Sequence, residues 1–330
     1  MIRVHDVGWR LAILTWLGAM LIAPVTSVAQ QPKQDQIPTI RATSEVVNVY
    51  AVVRDKKRPV TGLNKEDFEL TEDNARQEIK YFSRETDTPL TMGILIDTSP
   101  SQQRVLPVEQ QEADQFIGQV IGKRDLAFVL RFDVDVELLQ DLTANHGLLS
   151  RAIDSTVIGG GGGPVGVPGP FPGSNAGGTH LHDAVYLASR ELLKNEVGRK
   201  VLILLTDGED QGSKMKLDEA AEAAQKSDVI IYSIAIIDRS FYMRRMMGFS
   251  GDSVLKKYSD QTGGRVIEVN RAKDTSQAFQ ELAEELRTQY LLGYTPANAH
   301  RDGRFRKIKV SVVNRDFKVQ ARRGYYAATD

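Results

Sequence analysis

The sequence predicts an α/β protein: a doubly wound, mostly parallel sheet, with a smaller β module formed by the N- and C-terminal flanks. Three observations predict it. Five apolar runs, MGILI (92–96), LAFVLRF (126–132), VLILL (201–205), VIIYSIAII (229–237) and RVIEV (265–269), alternate with segments of helical periodicity. Several of these runs are continuously apolar, as strands covered on both faces must be. Strand–helix alternation of this kind builds a doubly wound sheet, and β-type sequence brackets the block at both ends.

At the N-terminus, Arg3 and Arg10 precede an apolar run from Leu11 to Ile22, then Pro24 and the small-residue triplet Ser27-Val28-Ala29. A positive flank, a short apolar stretch and a small-residue site are the parts of a secretory signal, expected over 1–29. The run is shorter than the roughly 20 residues that span a bilayer. An uncleaved anchor is the alternative, and membrane contact is expected only in that case. Both readings export the chain to the periplasm or the extracellular space. Residues 30–39 are polar with two prolines and form a spacer.

Residues 40–86 are expected to form the N-terminal part of the β module. They hold the β-branched run Val46–Val53, the charged turn Asp55-Lys56-Lys57, and the runs Phe68-Glu69-Leu70 and Ile79–Phe82, with turn residues Glu72-Asp73-Asn74 between the last two. The α/β block is expected over 88–290, with helices at 109–121, 183–194, 216–226 and 274–289; in the last, Phe279, Leu282, Leu286 and Tyr290 recur at helical spacing. Residues 291–330 are the C-terminal part of the β module. Ile308, Val310 and Val312 share one face, Asn314-Arg315-Asp316 makes a turn, and 317–321 alternates again, which reads as a hairpin. An isolated hairpin is marginal in water, so it is expected to pack with the 40–86 strands.

Composition narrows the function. At 330 residues, 41% hydrophobic and 26% charged, the chain can bury a substantial core. Lys and Arg number 42 against 43 Asp and Glu, so there is no basic footprint for counterion release, which argues against nucleic acid as the main partner. Cysteine is absent, which removes disulfides, thiolate metal sites and a cysteine nucleophile. Residues 159–178 hold ten glycines and four prolines and form a loop. Their Gly161-x-Gly163-x-x-Gly166 matches a dinucleotide fingerprint by letter only, with no strand before it and prolines where a helix would open.

The strand MGILI ends in Asp97-Thr98-Ser99-Pro100-Ser101, and VLILL ends in Thr206-Asp207-Gly208. In an open α/β sheet ligands bind beyond the carboxyl ends of the strands, so both motifs belong to one edge. Asp97, Ser99 and Ser101 alternate in a tight loop and can turn three oxygens to one point. Asp207 adds a second carboxylate, and Gly208 lets the backbone approach. All-oxygen ligation with few carboxylates suits Mg²⁺ or Mn²⁺, whereas Ca²⁺ asks for more carboxylates. Asp133-Val134-Asp135 lacks the glycine of an EF-hand loop and receives no metal role.

DTSPS (97–101), GGTHLHDA (177–184) and LLTDGED (204–210) together resemble the metal-ion-dependent adhesion site of von Willebrand factor A domains, over roughly 89–290. The resemblance implies direct ligation by Ser99, Ser101 and Thr179, with Asp97 and Asp207 acting directly or through water. It also implies an open position that takes an Asp or Glu carboxylate from a protein partner, hence adhesion or binding. The flanks VVNVYAVVRDKKRPVTGLNKEDFELTEDNARQEI, QYLLGYTP and RRGYYA resemble a bacterial subfamily of exported von Willebrand A-related proteins. The insert at 159–178 stands directly before Thr179, beside the metal. The basic and methionine-rich stretch Arg239, Met243, Arg244, Arg245, Met246, Met247 follows a strand at the same edge and reads as a solvated loop, or as an adaptable binding surface.

The alternative is an extracytoplasmic hydrolase using Ser99, His182 and Asp207, or the metal, at the same edge. The G-x-S-x-G elbow is missing, and Gly248-Phe249-Ser250-Gly251 has the wrong spacing. His180 and His182 straddle Leu181 and point to different faces. No positioned general base accompanies the oxygen set, which favours binding over catalysis. A metal-free scaffold is the third reading.

Overall fold

Strands come first: β1 (Val47–Asp55), β2 (Arg58–Pro59), β3 (Phe68–Glu72), β4 (Ala75–Gln77) and β5 (Ile79–Arg84). The α/β block follows with β6 (Leu90–Asp97), α1 (Leu106–Val120), β7 (Leu126–Phe132), β8 (Val136–Thr143), α2 (His146–Asp154) and α3 (Leu181–Leu187). It continues through β9 (Arg199–Leu205), α4 (Leu217–Lys226), β10 (Val229–Ile236), α5 (Gly251–Thr262), β11 (Val266–Val269) and α6 (Thr275–Arg287). The chain then returns to strands: β12 (Tyr290–Tyr294), β13 (Phe305–Val312), β14 (Lys318–Ala321) and β15 (Gly324–Tyr326). This computed structural model describes residues 46–56, 58–84, 88–159, 178–237, 251–269, 271 and 274–329. The signal-like segment and spacer (1–39), nearly all of the glycine- and proline-rich insert (160–177) and the Arg/Met stretch (239–247) lie outside the described residues.

The larger sheet runs β11-β10-β9-β6-β7-β8, parallel throughout except for β8, which lies antiparallel to β7 at one edge. Side chains alternate across a strand, and here that alternation feeds two cores. Met92, Ile94, Ile96, Val201, Ile203 and Leu205 point to the face covered by α1, α2 and α6. Leu95, Leu202, Leu204, Phe128 and Leu130 point to the face covered by α3, α4 and α5. Both faces being dry explains why β6 and β9 are buried along their whole length and read as unbroken apolar runs. Gly93 is required by this packing, because a Cβ there would lie 2.2 Å from the Phe128 ring. Three elements of this block were not read from the sequence: β8, α2 and α5. In β8 the sequence VELLQDLT is only half-buried and carries no clean period, as an edge strand permits.

The flanks form two small antiparallel sheets. One runs β14-β1-β12-β5, with β2 on β1; the other runs β15-β13-β3-β4. Their shared core holds Val47, Val49, Ala51 and Val53 of β1, Phe68 and Leu70 of β3, Tyr290, Leu292 and Tyr294 of β12, and Ile308 and Val312 of β13. The expected hairpin of 306–313 with 317–321 does not form. β13 pairs with β3 and β15, whereas β14 crosses to pair with β1 in the opposite sheet. The alternating apolar residues of both strands thereby face one core from its two sides. Glu72 is buried in this core and accepts the hydroxyls of Tyr294 (2.7 Å) and Tyr325 (3.0 Å). Where the two parts of the fold meet, Arg54 of β1 pairs with the buried Glu285 of α6, which also accepts from Arg265 Nε at 2.5 Å. Among the described residues no helix is long and apolar enough to cross a membrane.

Candidate metal centre

β6 and β9 are neighbours in register, with Ile96 beside Leu205, so the turns after them leave the sheet side by side. β7 lies on the other side of β6. Strand order therefore reverses between β6 and β9, and that reversal opens the crevice where α/β sheets place ligands. After Asp97 the chain stays extended at Ser99 and makes one 3-10 turn over Pro100–Gln102 before α1 begins.

Four of the five expected ligand residues converge here. Asp97 Oδ1 accepts the Ser99 amide at 2.9 Å, and its Oδ2 accepts the Thr206 hydroxyl at 2.5 Å. The hydroxyls of Ser99 and Ser101 stand 3.0 Å apart. Gln102 Nε2 donates to Ser101 Oγ at 3.3 Å and to Asp207 Oδ2 at 2.8 Å, joining the two turns. Asp97, Ser99 and Asp207 are each at most 2% exposed. Thr179, also buried, is reached through a backbone frame. Its amide and carbonyl pair with those of Gln211 (3.0 and 2.9 Å), and the neighbouring His180 amide donates to the Asp133 carbonyl at 2.7 Å. Asp133 in turn accepts the Thr98 hydroxyl at 2.8 Å. Thr179 is thus held between the turns after β9 and β7, and the latter is tied to the turn after β6.

Burial first, and the neighbouring Asp207 carboxylate second, push the Asp97 pKa up to about 7 against the pull of its hydrogen bonds. The donors to Asp97 are neutral, a backbone amide and a hydroxyl. Among the described residues no three His, Cys, Asp or Glu side chains converge as a metal-holding group. The oxygen set at this crevice contains only two carboxylates; the rest are hydroxyls.

Sequence reasoning missed Gln102, Thr206, Asp133 and Glu109. Gln102 bridges the two turns, and Asp133, discarded as an EF-hand fragment, braces Thr98. Glu109 of α1 is fully buried, and its carboxylate oxygens have no hydrogen-bond partner. Its signal was present: it lies on the inward stripe Leu106, Glu109, Ala113, Phe116, Ile117 as the one charged residue.

The His182 ring has other partners than the site's hydroxyls. His182 Nδ1 meets the Tyr258 hydroxyl at 2.9 Å and stands 3.7 Å from Asp210 Oδ1, while the Ser99 hydroxyl faces Ser101. Burial lowers the His182 pKa, with Asp210 and Asp183 opposing it.

Residues 172–284 match the family model of the von Willebrand factor type A domain. The α/β block has the von Willebrand factor A fold. The matched stretch takes in Thr179 and Asp207 and begins after the turn at 97–101. A search of the curated proteins finds no match. Among solved structures, proximal thread matrix protein 1 from the mussel byssus is 15% identical, with 66% of this chain and 51% of that one covered and a TM-score of 0.49. The chain thus spans about half the length of the mussel protein; one structure of that protein has a zinc-occupied MIDAS motif. BatB from Bacteroides thetaiotaomicron is 15% identical over 60% of this chain and all (100%) of that one, with a TM-score of 0.44. The von Willebrand domain of the type V pili tip protein Mfa5 from Porphyromonas gingivalis is 12% identical, with 60% and 94% covered and a TM-score of 0.43.

Proposed function

We propose that this is an exported, metal-dependent protein-binding module, in which a divalent cation held by Asp97, Ser99, Ser101, Thr179 and Asp207 captures a carboxylate of a protein partner. One observation carries the reading. Two aspartates are buried together at the switch crevice with two serine hydroxyls 3.0 Å apart, and the donors to Asp97 are uncharged. Burial and the neighbouring Asp207 carboxylate both disfavour a charged Asp97, so a cation placed beside it would be favoured. The donors are hard oxygens with few carboxylates, which suits Mg²⁺ or Mn²⁺ in octahedral coordination at about 2.0–2.1 Å.

In this reading Ser99, Ser101 and Thr179 bind the ion through neutral hydroxyls, and Asp97 and Asp207 balance its charge directly or through water. Gln102 and Thr206 fix the two carboxylates. When bound, the cation supplies a Lewis-acidic position that an incoming Asp or Glu side chain completes. Residues 159–178 stand directly before Thr179 in the sequence. The export signal at 1–29 and the flanks' likeness to a bacterial exported subfamily support a periplasmic or extracellular setting.

The test is binding of the protein to immobilised peptides that differ only in Asp or Glu against Asn or Gln, in Mg²⁺ and in EDTA. Capture should need both the carboxylate and the cation, and Thr179→Ala should reduce it by tenfold or more, about 1.4 kcal/mol. Binding that persists in EDTA and in Thr179→Ala overturns the proposal.

A further inference from the structure

We propose that the seam between the β module and the α/β block holds a binding site for a small oxyanion of the phosphate or sulfate class, with Lys200 and Arg322 as its cationic groups. A cavity of about 100 Å³ lies there, with Asn48 and Tyr50 of β1, Lys200 of β9, Gln225 of α4, Asp228 and Arg322 in its wall. One water needs roughly 10–15 Å³, so this cavity has room for a ligand of several atoms. Arg322 opens the RRGYYA stretch of the tail. Lys200 stands at the N-terminal end of β9, whereas Asp207 follows its other end. The cavity is therefore at the opposite end of the sheet from the metal crevice, and the inference does not depend on it.

Lys200 and Arg322 face one carboxylate in this wall, that of Asp228. Arg322 Nη1 already donates to Asp228 Oδ1 at 2.5 Å. Lys200 is only 8% exposed, and its ammonium donates over a long 3.4 Å to the Lys194 carbonyl. An ammonium carries three donors, and a buried charge is ordinarily paired. Burial lowers the Lys200 pKa, with Asp228 and Glu196 opposing it. The nearby carboxylates thus fall short of offsetting the loss of water around this ammonium, and an anion in the cavity would supply the rest. Arg322 also has capacity left, since its Nε is buried without a hydrogen-bond partner. Its backbone is held in place by packing: a Cβ on Gly263 would stand 2.6 Å from the Arg322 amide nitrogen. An ammonium and a guanidinium together suit the several acceptor oxygens of phosphate or sulfate.

The experiment is calorimetric titration of the full chain in EDTA with sulfate and with inorganic phosphate, against chloride at equal ionic strength. Wild type, Lys200→Met and Asp228→Asn are compared. Wild type should bind either oxyanion and not chloride. Lys200→Met keeps an apolar stem and should bind about tenfold or more weakly, as loss of a charge-assisted hydrogen bond implies. Asp228 stands in the left-handed region (φ 55°), which Asn also tolerates. Asp228→Asn removes the competing carboxylate and should tighten binding by about threefold or more, the scale of a partly exposed ion pair. Thermal midpoints should follow the same order. Both anions also stabilise folded proteins in general, so a midpoint rise equal in all three proteins overturns the inference. Oxyanion heats matching chloride in wild type, or a Lys200→Met affinity equal to wild type, overturn it too. Should Lys200→Met fail to fold, Asp228→Asn decides alone, and unchanged or weaker binding there overturns the site.

Discussion

Without metal, the stability of this protein should fall as pH rises from about 4 to 7. Asp97 is fully buried, and its pKa stands at about 7 against an ordinary 3.8, because burial and Asp207 both disfavour the charged form. A folded-state pKa raised above the unfolded value gives stability that is complete below the unfolded pKa and lost as pH climbs through the folded one. The window is therefore pH 4 to 7. At 1.36 kcal/mol per unit, the loss across it is on the order of 4 kcal/mol. For a folded unit of this size that corresponds to about 10 °C in thermal midpoint. Glu109, shifted in the same direction, adds to the slope. The assay is thermal unfolding in EDTA at half-unit steps from pH 4 to 7, on wild type and Asp97→Asn. Wild type should lose stability steadily, and the Asn variant should show a clearly shallower slope. Saturating Mg²⁺ or Mn²⁺ should offset the loss, since a ligand bound only to the native state stabilises it by mass action. A wild-type midpoint that is flat or rising over this range, or an Asn variant that keeps the full slope, refutes the reasoning.

Two further predictions concern the fold that positions the site. Gly93→Ala should destabilise by about 1–3 kcal/mol through overpacking against Phe128, and Phe128→Leu should recover part of that loss in a double-mutant cycle read by urea unfolding. Strict additivity of the two would contradict the assigned contact. Tyr294→Phe should cost about 1–3 kcal/mol by leaving Glu72 with one hydroxyl donor fewer in the β-module core, whereas an unchanged urea midpoint would show that the bond contributes nothing.

The parallel strands were legible because burial on both faces erases alternation and leaves apolar runs, and each predicted run became a strand within a residue or two at either end. β8 escaped because an edge strand is half-solvated and owes its pairing to β7 rather than to its own pattern. The hairpin at 306–321 was misread for a related reason: local alternation marks two strands but does not say which sheet each joins. At the site, Asp97, Ser99, Ser101 and Asp207 were readable because they punctuate strand ends. Gln102 and Asp133 were not, since their roles depend on turns that meet only in space. Glu109 was readable in principle, as a charge on an apolar helix stripe.

The proposed function stands or falls with a divalent cation at the crevice between β6 and β9. Crystals grown in Mn²⁺ and measured at the manganese absorption edge test it most directly. An anomalous peak is expected at about 2.0–2.2 Å from the hydroxyls of Ser99, Ser101 and Thr179, flanked by Asp97 and Asp207. No peak at that crevice under saturating Mn²⁺, or a peak held by other residues, would contradict it.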